Sequence, residues 1–244
     1  MTDAGGHRCY VLHSRPYRES SALVELLTAA EGRVQAVARG LRRKGRVTLQ
    51  PFVEYWGNWQ GRGELKTLMN FELAGALRTL TGERLYAGLY LNELTVRLIR
   101  PGVPLPSLFQ AYVQALDGLA GAGTAIAGAL RAYEAAVLDV HGYGLDSLET
   151  DAMGRPLENG QAYRWDWTQG WVPVGCGGEF TGAELEAVRS GSFHLPEVER
   201  PARRLFRQRL DILLGARPLR SRALFKAYKE KQDATATRSA RGKH

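Results

Sequence analysis

The apolar residues of this chain change period near residue 80, and no other feature constrains the fold as tightly. Up to that point short runs of β-prone residues alternate with polar ones, the two-residue period of a half-buried strand. Arg8 to His13, Ala22 to Thr28, Arg33 to Ala38, Thr48 to Gln60 and Glu64 to Phe71 each carry such a run. Glu31-Gly32 and Gly61 to Gly63 supply turns. Five short strands with Gly-rich turns in about 75 residues predict a small barrel.

From Thr81 the period becomes helical. Leu85, Leu89, Leu91, Leu94, Leu98 and Ile99 mark one apolar face, and Pro101-Gly102 ends it. Further helices are expected over Leu105 to Leu119 and Ala125 to His141, the latter Ala-rich. Residues 145–180 change character again: Tyr163 to Trp167 and Trp171 to Val174 predict a hairpin around Thr168-Gln169-Gly170. Thr181 with Glu184 three residues on forms a capping box at the start of the next helix. Pro196 to Leu214 reads as a long Arg-decorated helix, and a last helix runs roughly from Arg220 to Glu230. The closing dozen residues have no apolar anchor and are expected to be disordered. The expected class is α+β. A barrel domain covers 1–80 and a helical domain comes in two parts, 81–145 and 181–232, around a small insertion at 146–180, with a tail at 233–244.

The charge is unevenly placed. The chain carries +8 overall. Residues 1–80 hold 12 Lys and Arg against 7 Asp and Glu, residues 81–199 hold 7 against 15, and residues 200–244 hold 14 against 3. Two basic ends flank an acidic middle. If the C-terminal segment folds beside the N-terminal barrel, the two give a positive face suited to a phosphate backbone. The sharpest local feature is the Gly-flanked stretch Arg39 to Arg46, with Arg39, Arg42, Arg43, Lys44 and Arg46. It is expected to be a cationic loop on the barrel rim, where small barrels hold single strands. Arg15, Arg33, Lys66, Arg203, Arg204, Arg207, Arg217, Arg220, Arg222 and Lys226 complete the expected DNA-binding set. Tyr10, Tyr17, Phe52, Tyr55, Trp56 and Trp59 include candidates for base stacking, and alternation turns about half of them inward. Trp165, Trp167 and Trp171 read as the miniature core of the insertion.

Catalytic signatures are missing. There is no GxxxxGK[ST] loop, no GxGxxG after a strand, and no HExxH, GxSxG or EF-hand pattern. The carboxylates are scattered over helix faces rather than converging as a two-metal nuclease requires. The chain is therefore expected not to be an enzyme and to need no cofactor. Cys9 and Cys176 are the only cysteines and make neither a disulfide framework nor a metal spacing. With no apolar signal core and no run long enough to span a bilayer, the expected place is the reducing cytoplasm, with no membrane partner. An RNA-binding barrel protein of RNA metabolism is the alternative reading.

Several phrases, in order, carry a resemblance. Val11-Leu12-His13-Ser14-Arg15-Pro16-Tyr17-Arg18-Glu19-Ser20-Ser21 is similar to the opening of the bacterial RecO family. So are Glu31-Gly32-Arg33-Val34, Leu49-Gln50-Pro51-Phe52, Gly61 to Leu68, Leu85 to Leu94, His141-Gly142-Tyr143-Gly144 and Arg217 to Phe225. The resemblance implies an N-terminal OB-fold, a helical region and a small inserted segment. It implies binding of single- and double-stranded DNA, annealing of complementary strands, and cooperation with RecR in loading RecA onto DNA coated by single-strand-binding protein (SSB). It also implies a nucleoid-associated place in the cytoplasm. Some family members carry four zinc-binding cysteines in the insertion. Only Cys176 stands there in this chain, which resembles the zinc-free branch. The acidic, apolar C-terminal tail of SSB docks on the helical region in the family. The residues expected to receive it are Arg131, with Leu105, Leu108, Phe109 and Leu116 as apolar walls.

Overall fold

The computed structural model describes residues 6–40, 49–75, 78–121, 123 and 125–241, with side chains described as far as residue 232. Five strands form the N-terminal part: β1 (His7–Tyr17), β2 (Ser21–Thr28), β3 (Gly32–Ala38), β4 (Glu54–Gln60) and β5 (Leu65–Leu73). They close into a barrel in the order β1-β2-β3-β5-β4, with β4 returning to pair with β1. Every pairing is antiparallel except β3–β5, which runs parallel from Gln35 opposite Leu65 to Ala38 opposite Leu68. This is an OB-like barrel. The two-residue period turns Cys9, Val11, Val24, Leu26, Val34, Ala36, Tyr55, Trp59 and Leu68 into its interior. Burial pushes the Cys9 thiol up to about 12, which makes it an inert core group. β4 begins later than the pattern suggests. Phe52 sits at a φ of +68°, so the chain turns at Pro51-Phe52 and enters the ladder only at Glu54.

The described residues then give six helices: α1 (Gly82–Leu98), α2 (Pro106–Ala120), α3 (Ile126–Val140), α4 (Gly182–Arg189), α5 (Pro196–Leu214) and α6 (Arg220–Arg241). Between α3 and α4 lie a 3-10 turn, Leu145–Leu148, and strands β6 (Ala162–Asp166), β7 (Gly170–Val174) and β8 (Phe180–Thr181), ordered β7-β6-β8. α6 runs to Arg241, beyond the Glu230 at which the pattern ends it. No Gly or Pro interrupts the sequence between Pro218 and Gly242, so a helix started at Arg220 has nothing to stop it earlier.

The chain divides into two compact units: Met1–Pro104 with Gly215–His244, and Leu105–Leu214. α1, grouped by its period with the helices after it, thus belongs with the barrel. One side of α1 meets the barrel. A Cβ on Gly88 would stand 2.8 Å from both Phe52 and Leu80, so only glycine lets Phe52 seat there. Asn92 Nδ2 donates to the Leu12 carbonyl at 2.9 Å. The segment after α1 returns to β3. Gly102 N donates to the Arg33 carbonyl at 2.8 Å, and a Cβ on Gly32 would stand 1.8 Å from the Val103 carbonyl oxygen.

The other side of α1 holds α6. Glu83 pairs with Lys229 at 3.5 Å, Tyr86 packs on Tyr228 with centroids 4.8 Å apart, and Glu93 reaches Ser221. That ladder makes the two helices antiparallel. The Glu93 carboxylate accepts from Arg220 N at 2.9 Å, Ser221 N at 2.8 Å and Ser221 Oγ at 2.6 Å, so a side chain of α1 caps the first turn of α6. Burial pushes the Glu93 carboxyl up, but the bonds from Ser221 and Arg220, with Arg97 nearby, outweigh it and hold its pKa below the ordinary value.

The second unit has its own core. Tyr112 of α2 meets Tyr133 of α3 edge to face at 5.9 Å. In the insertion Trp171 is buried and packs edge-on against Trp165 and Phe180, while its Nε1 donates to the Ser147 carbonyl at 3.0 Å. The capping box at Thr181 and Glu184 forms as read. Asp151 accepts Met153 N and Arg155 N on one oxygen and the Arg155 guanidinium on the other, closing the loop 151–155 on itself.

Two outcomes follow for stability. Gly32→Ala places a methyl on backbone at a φ of +66°, so thermal unfolding should show a loss above ~2 kcal/mol. Gly102→Ala, at a φ of +74° with nothing near its Cβ, should lose only ~1 kcal/mol. Glu93→Ala should cost about 1–2 kcal/mol in denaturant titration, as the loss of a helix cap does. Because the folded pKa of Glu93 is depressed, its stabilisation is present above the ordinary value of 4.5 and fades as pH falls through the folded value. The difference between wild type and Glu93→Gln should therefore shrink on acidification.

Candidate nucleic-acid interface

The turn between β1 and β2, the end of β3 and the start of β5 meet at one end of the barrel. The register brings them there: Tyr17 lies opposite Ser21, Ala22 opposite Ala38, and Val37 opposite Thr67. Between them opens a cleft of about 710 Å³, lined by Tyr17, Arg18, Ser20, Ser21, Val37, Arg39, Gly40, Leu65, Lys66 and Thr67. Among the described residues, three cations and four hydroxyls line it and no Asp or Glu does. Arg18 holds a φ of +53° in the tight β1–β2 turn, with its guanidinium 5.3 Å from the Tyr17 ring centre. Lys66 Nζ donates to the Gly61 carbonyl at 2.8 Å and keeps further donors for a ligand. A donor-rich cleft without carboxylates attracts a polyanion and offers no base-specific pattern. After Gly40 and Leu41 the sequence runs into Arg42, Arg43, Lys44 and Arg46, which lie outside the described residues.

Arg39 and Lys66, both expected on sequence grounds, come together here. Arg18, Ser20, Ser21 and Thr67 were not expected. Their signal was topological: the first turn shares an end of the barrel with the end of β3, and only the β3–β5 pairing shows it. Arg15 is exposed on β1. Arg33 departs from expectation. It is buried, paired with Glu25 at 2.6 Å, and donates through Nε to the Ile99 carbonyl at 2.7 Å. It faces outward from the barrel as alternation requires, but the segment after α1 covers it, so it is a framework residue.

The C-terminal cations divide in the same way. On α5, Arg203 is exposed and Arg207 is exposed beside Asp211 at 3.6 Å. Arg204 is engaged by Glu184 at 2.8 Å and by the Phe180 ring at 4.3 Å. In the barrel's own unit, Arg217, Arg220 and Lys226 are exposed, and Arg222 lies 5.8 Å from the Tyr90 ring centre. Of the aromatic candidates, Tyr10, Phe52, Tyr55 and Trp59 are buried. Tyr17 is half-buried in the cleft, and Trp56 is 46% exposed.

The residues expected to receive the SSB tail do not form an open pocket. Leu108, Phe109 and Leu116 are buried on the inner face of α2, and Leu105 is half-buried at its start. Arg131 is buried and paired with Glu134 at 2.8 Å. The helical period that marks Leu108, Phe109 and Leu116 as a stripe turns that stripe into the core. Arg131 and Glu134, three apart, neutralise each other there. In the insertion, Cys176 is exposed, and among the described residues no group of three or more His, Cys, Asp or Glu could hold a metal ion. Nor is any described helix long and apolar enough to cross a membrane.

Residues 6–77 match the family model described as recombination protein O N terminal, and residues 80–223 match recombination protein O C terminal. The chain is 44% identical over 232 residues to the DNA repair protein RecO of Pseudomonas paraeruginosa, covering 94% of this chain and 98% of that one. It is 39% identical over 235 residues to the DNA repair protein RecO of Proteus mirabilis, covering 94% and 96%. It is 38% identical over 233 residues to that of Serratia proteamaculans, covering 93% and 96%. With an OB-like barrel, a cationic cleft at its end and matches along nearly its whole length, the chain belongs to the RecO family of DNA repair proteins.

Proposed function

We propose that this protein is a non-enzymatic recombination mediator. It binds single- and double-stranded DNA, anneals complementary strands and, with RecR, helps load RecA onto SSB-coated single strands in the cytoplasm. The observation that carries this reading is the cleft at the barrel end, where Arg18, Arg39 and Lys66 gather and no carboxylate is among the described lining residues. Family membership supports the rest.

Annealing requires two polyanions to approach, so their repulsion has to be screened. Arg15, Arg39 and Lys66 on the barrel, and Arg42, Arg43, Lys44 and Arg46 after Gly40, supply phosphate contacts on one strand. Arg217, Arg220, Arg222 and Lys226, in the same compact unit, supply further cations, and Arg203 and Arg207 of α5 add to the set. Such contacts position a backbone and carry no sequence code.

The test is annealing of complementary oligonucleotides precoated with SSB, followed by fluorescence at two salt concentrations. Wild type should accelerate it, with the gain fading as salt rises. Replacing Arg42, Arg43 and Lys44 together by Ala should weaken single-strand binding uniformly across sequences and flatten the log–log salt slope by about 2. Absence of acceleration despite tight DNA binding, or stronger binding to RNA than to DNA, would overturn the proposal.

A further inference from the structure

Arg209 of α5 is engaged on one side only. It is 1% exposed. Its Nη1 donates to the Tyr143 carbonyl at 2.7 Å and to Ser147 Oγ at 3.0 Å, and the guanidinium carbon lies 4.6 Å from the Trp165 ring centre and 5.5 Å from that of Trp171. Its Nε and Nη2 are buried and have no acceptor among the described residues, and neither has the Trp165 indole Nε1. Nε and Nη2 together form the edge of a guanidinium that takes two oxygens of one carboxylate in parallel. Burial pushes Arg209 down to about 10, so the group stays charged at neutral pH. A buried charged edge left without acceptors is costly.

Arg209 and Trp165 border a pocket of about 190 Å³ that Trp167, Leu205, Gln208 and Ile212 complete. Where its walls reach solvent they are partly apolar, with Trp167 43% and Ile212 53% exposed, and partly polar, with Gln208 and Glu179 also exposed. The buried groups without a partner at this pocket, Arg209 Nε and Nη2 and Trp165 Nε1, are donors only. The set therefore suits a ligand with acceptor oxygens at one end and an apolar body at the other. Glu179 also lines the pocket, and its carboxylate disfavours an anion of more than one charge. The volume leaves room for a single ring or a short branched chain, and not for a nucleotide.

We propose that this pocket binds a small organic monocarboxylate, with the carboxylate on the Nε–Nη2 edge of Arg209 and the apolar body against Trp167, Leu205 and Ile212. The site lies wholly within the unit Leu105–Leu214 and is independent of the cleft on the barrel. Engagement of the edge draws on the same residues that join α5 to the small sheet, so occupancy should stiffen that junction.

Such a carboxylate can come from a free acid or from the end of a polypeptide. Benzoate probes the first source and N-acetyl-leucine the second, with benzamide and N-acetyl-leucinamide as uncharged counterparts and inorganic phosphate as the multiply charged control. The full chain is titrated and read by tryptophan fluorescence, which senses Trp165, Trp167 and Trp171, and by thermal shift. At least one acid should give a saturable response, at least about tenfold tighter than its amide and than phosphate. Which acid binds identifies the source. Arg209→Lys keeps the charge and removes the two-donor edge, so it should weaken binding by about tenfold or more. Because Arg209 also has a structural role, Trp167→Ala serves as a second variant. The Trp167 ring is 43% exposed and touches Tyr143 and Trp165 only edge to face, so the variant should still fold cooperatively with at most a small drop in unfolding temperature, while loss of the ring should weaken binding several-fold. Amides matching their acids, no saturable response from either acid, or unchanged binding in Trp167→Ala would overturn the assignment.

Discussion

Helix α1 joins the barrel to α6, and the rest of the N-terminal unit depends on that double contact. On one side Gly88 leaves space for Phe52 and Asn92 binds the Leu12 carbonyl; on the other the Glu93 carboxylate closes the first turn of α6. Each contact is short-range and directional. None tolerates a shift of one residue along the helix, because a shift moves the side chain by about 100° around the axis. The phrase Leu85 to Leu94 thus contains both joints of the unit. It brings the basic α6 into the same compact body as the basic barrel, although more than a hundred residues separate them in sequence.

Burial, more than charge count, decides which cations remain for a polyanion. Arg33 is buried and held by Glu25 and a backbone carbonyl, and Arg131 is buried and held by Glu134; Arg204, though exposed, is engaged by Glu184 and Phe180. Removing one partner of a buried pair leaves an uncompensated charge, which costs several kcal/mol, on the order of 3–5. An exposed arginine on a barrel rim costs almost nothing to hold and is screened only by salt. The residues suited to reversible phosphate contact are therefore the exposed ones with few internal partners, and among the described residues Arg39 is of that kind.

Much of the fold was legible because local period carries it. The strands, the helix bounds of α5 and the capping box at Thr181 follow from alternation, spacing and cap chemistry, whereas of the three tryptophans expected to core the insertion only Trp171 is buried, Trp165 is half-buried and Trp167 is 43% exposed. What was hidden was non-local. The parallel β3–β5 pairing leaves no mark in either strand, yet it sets Lys66 and Thr67 beside Arg39. Arg33 obeys alternation by pointing out of the barrel, but the segment that buries it begins only at Ile99. β8 is two residues long and has no pattern of its own. Arg131 could have been recognised: with Glu134 and Leu138 it falls on the three-and-four spacing of the buried face of α3, and a charge on such a stripe needs an opposite charge one turn away.

The family phrases take on physical content in the same terms. Gly32 exists for the Val103 carbonyl, Phe52 for the space at Gly88, Ser221 for Glu93, and the Tyr143 carbonyl for Arg209. They mark packing joints, whereas the surface proposed to meet DNA is the cleft at the barrel end. The most direct test of that surface is hydrogen–deuterium exchange of the full chain with and without an oligo(dT) single strand at low salt. Slowed exchange should fall on Tyr17–Ser21, Val37–Gly40 and Leu65–Thr67, and vanish when salt releases the strand. Slowed exchange confined to residues 105–214, with the barrel end unchanged, would contradict the account.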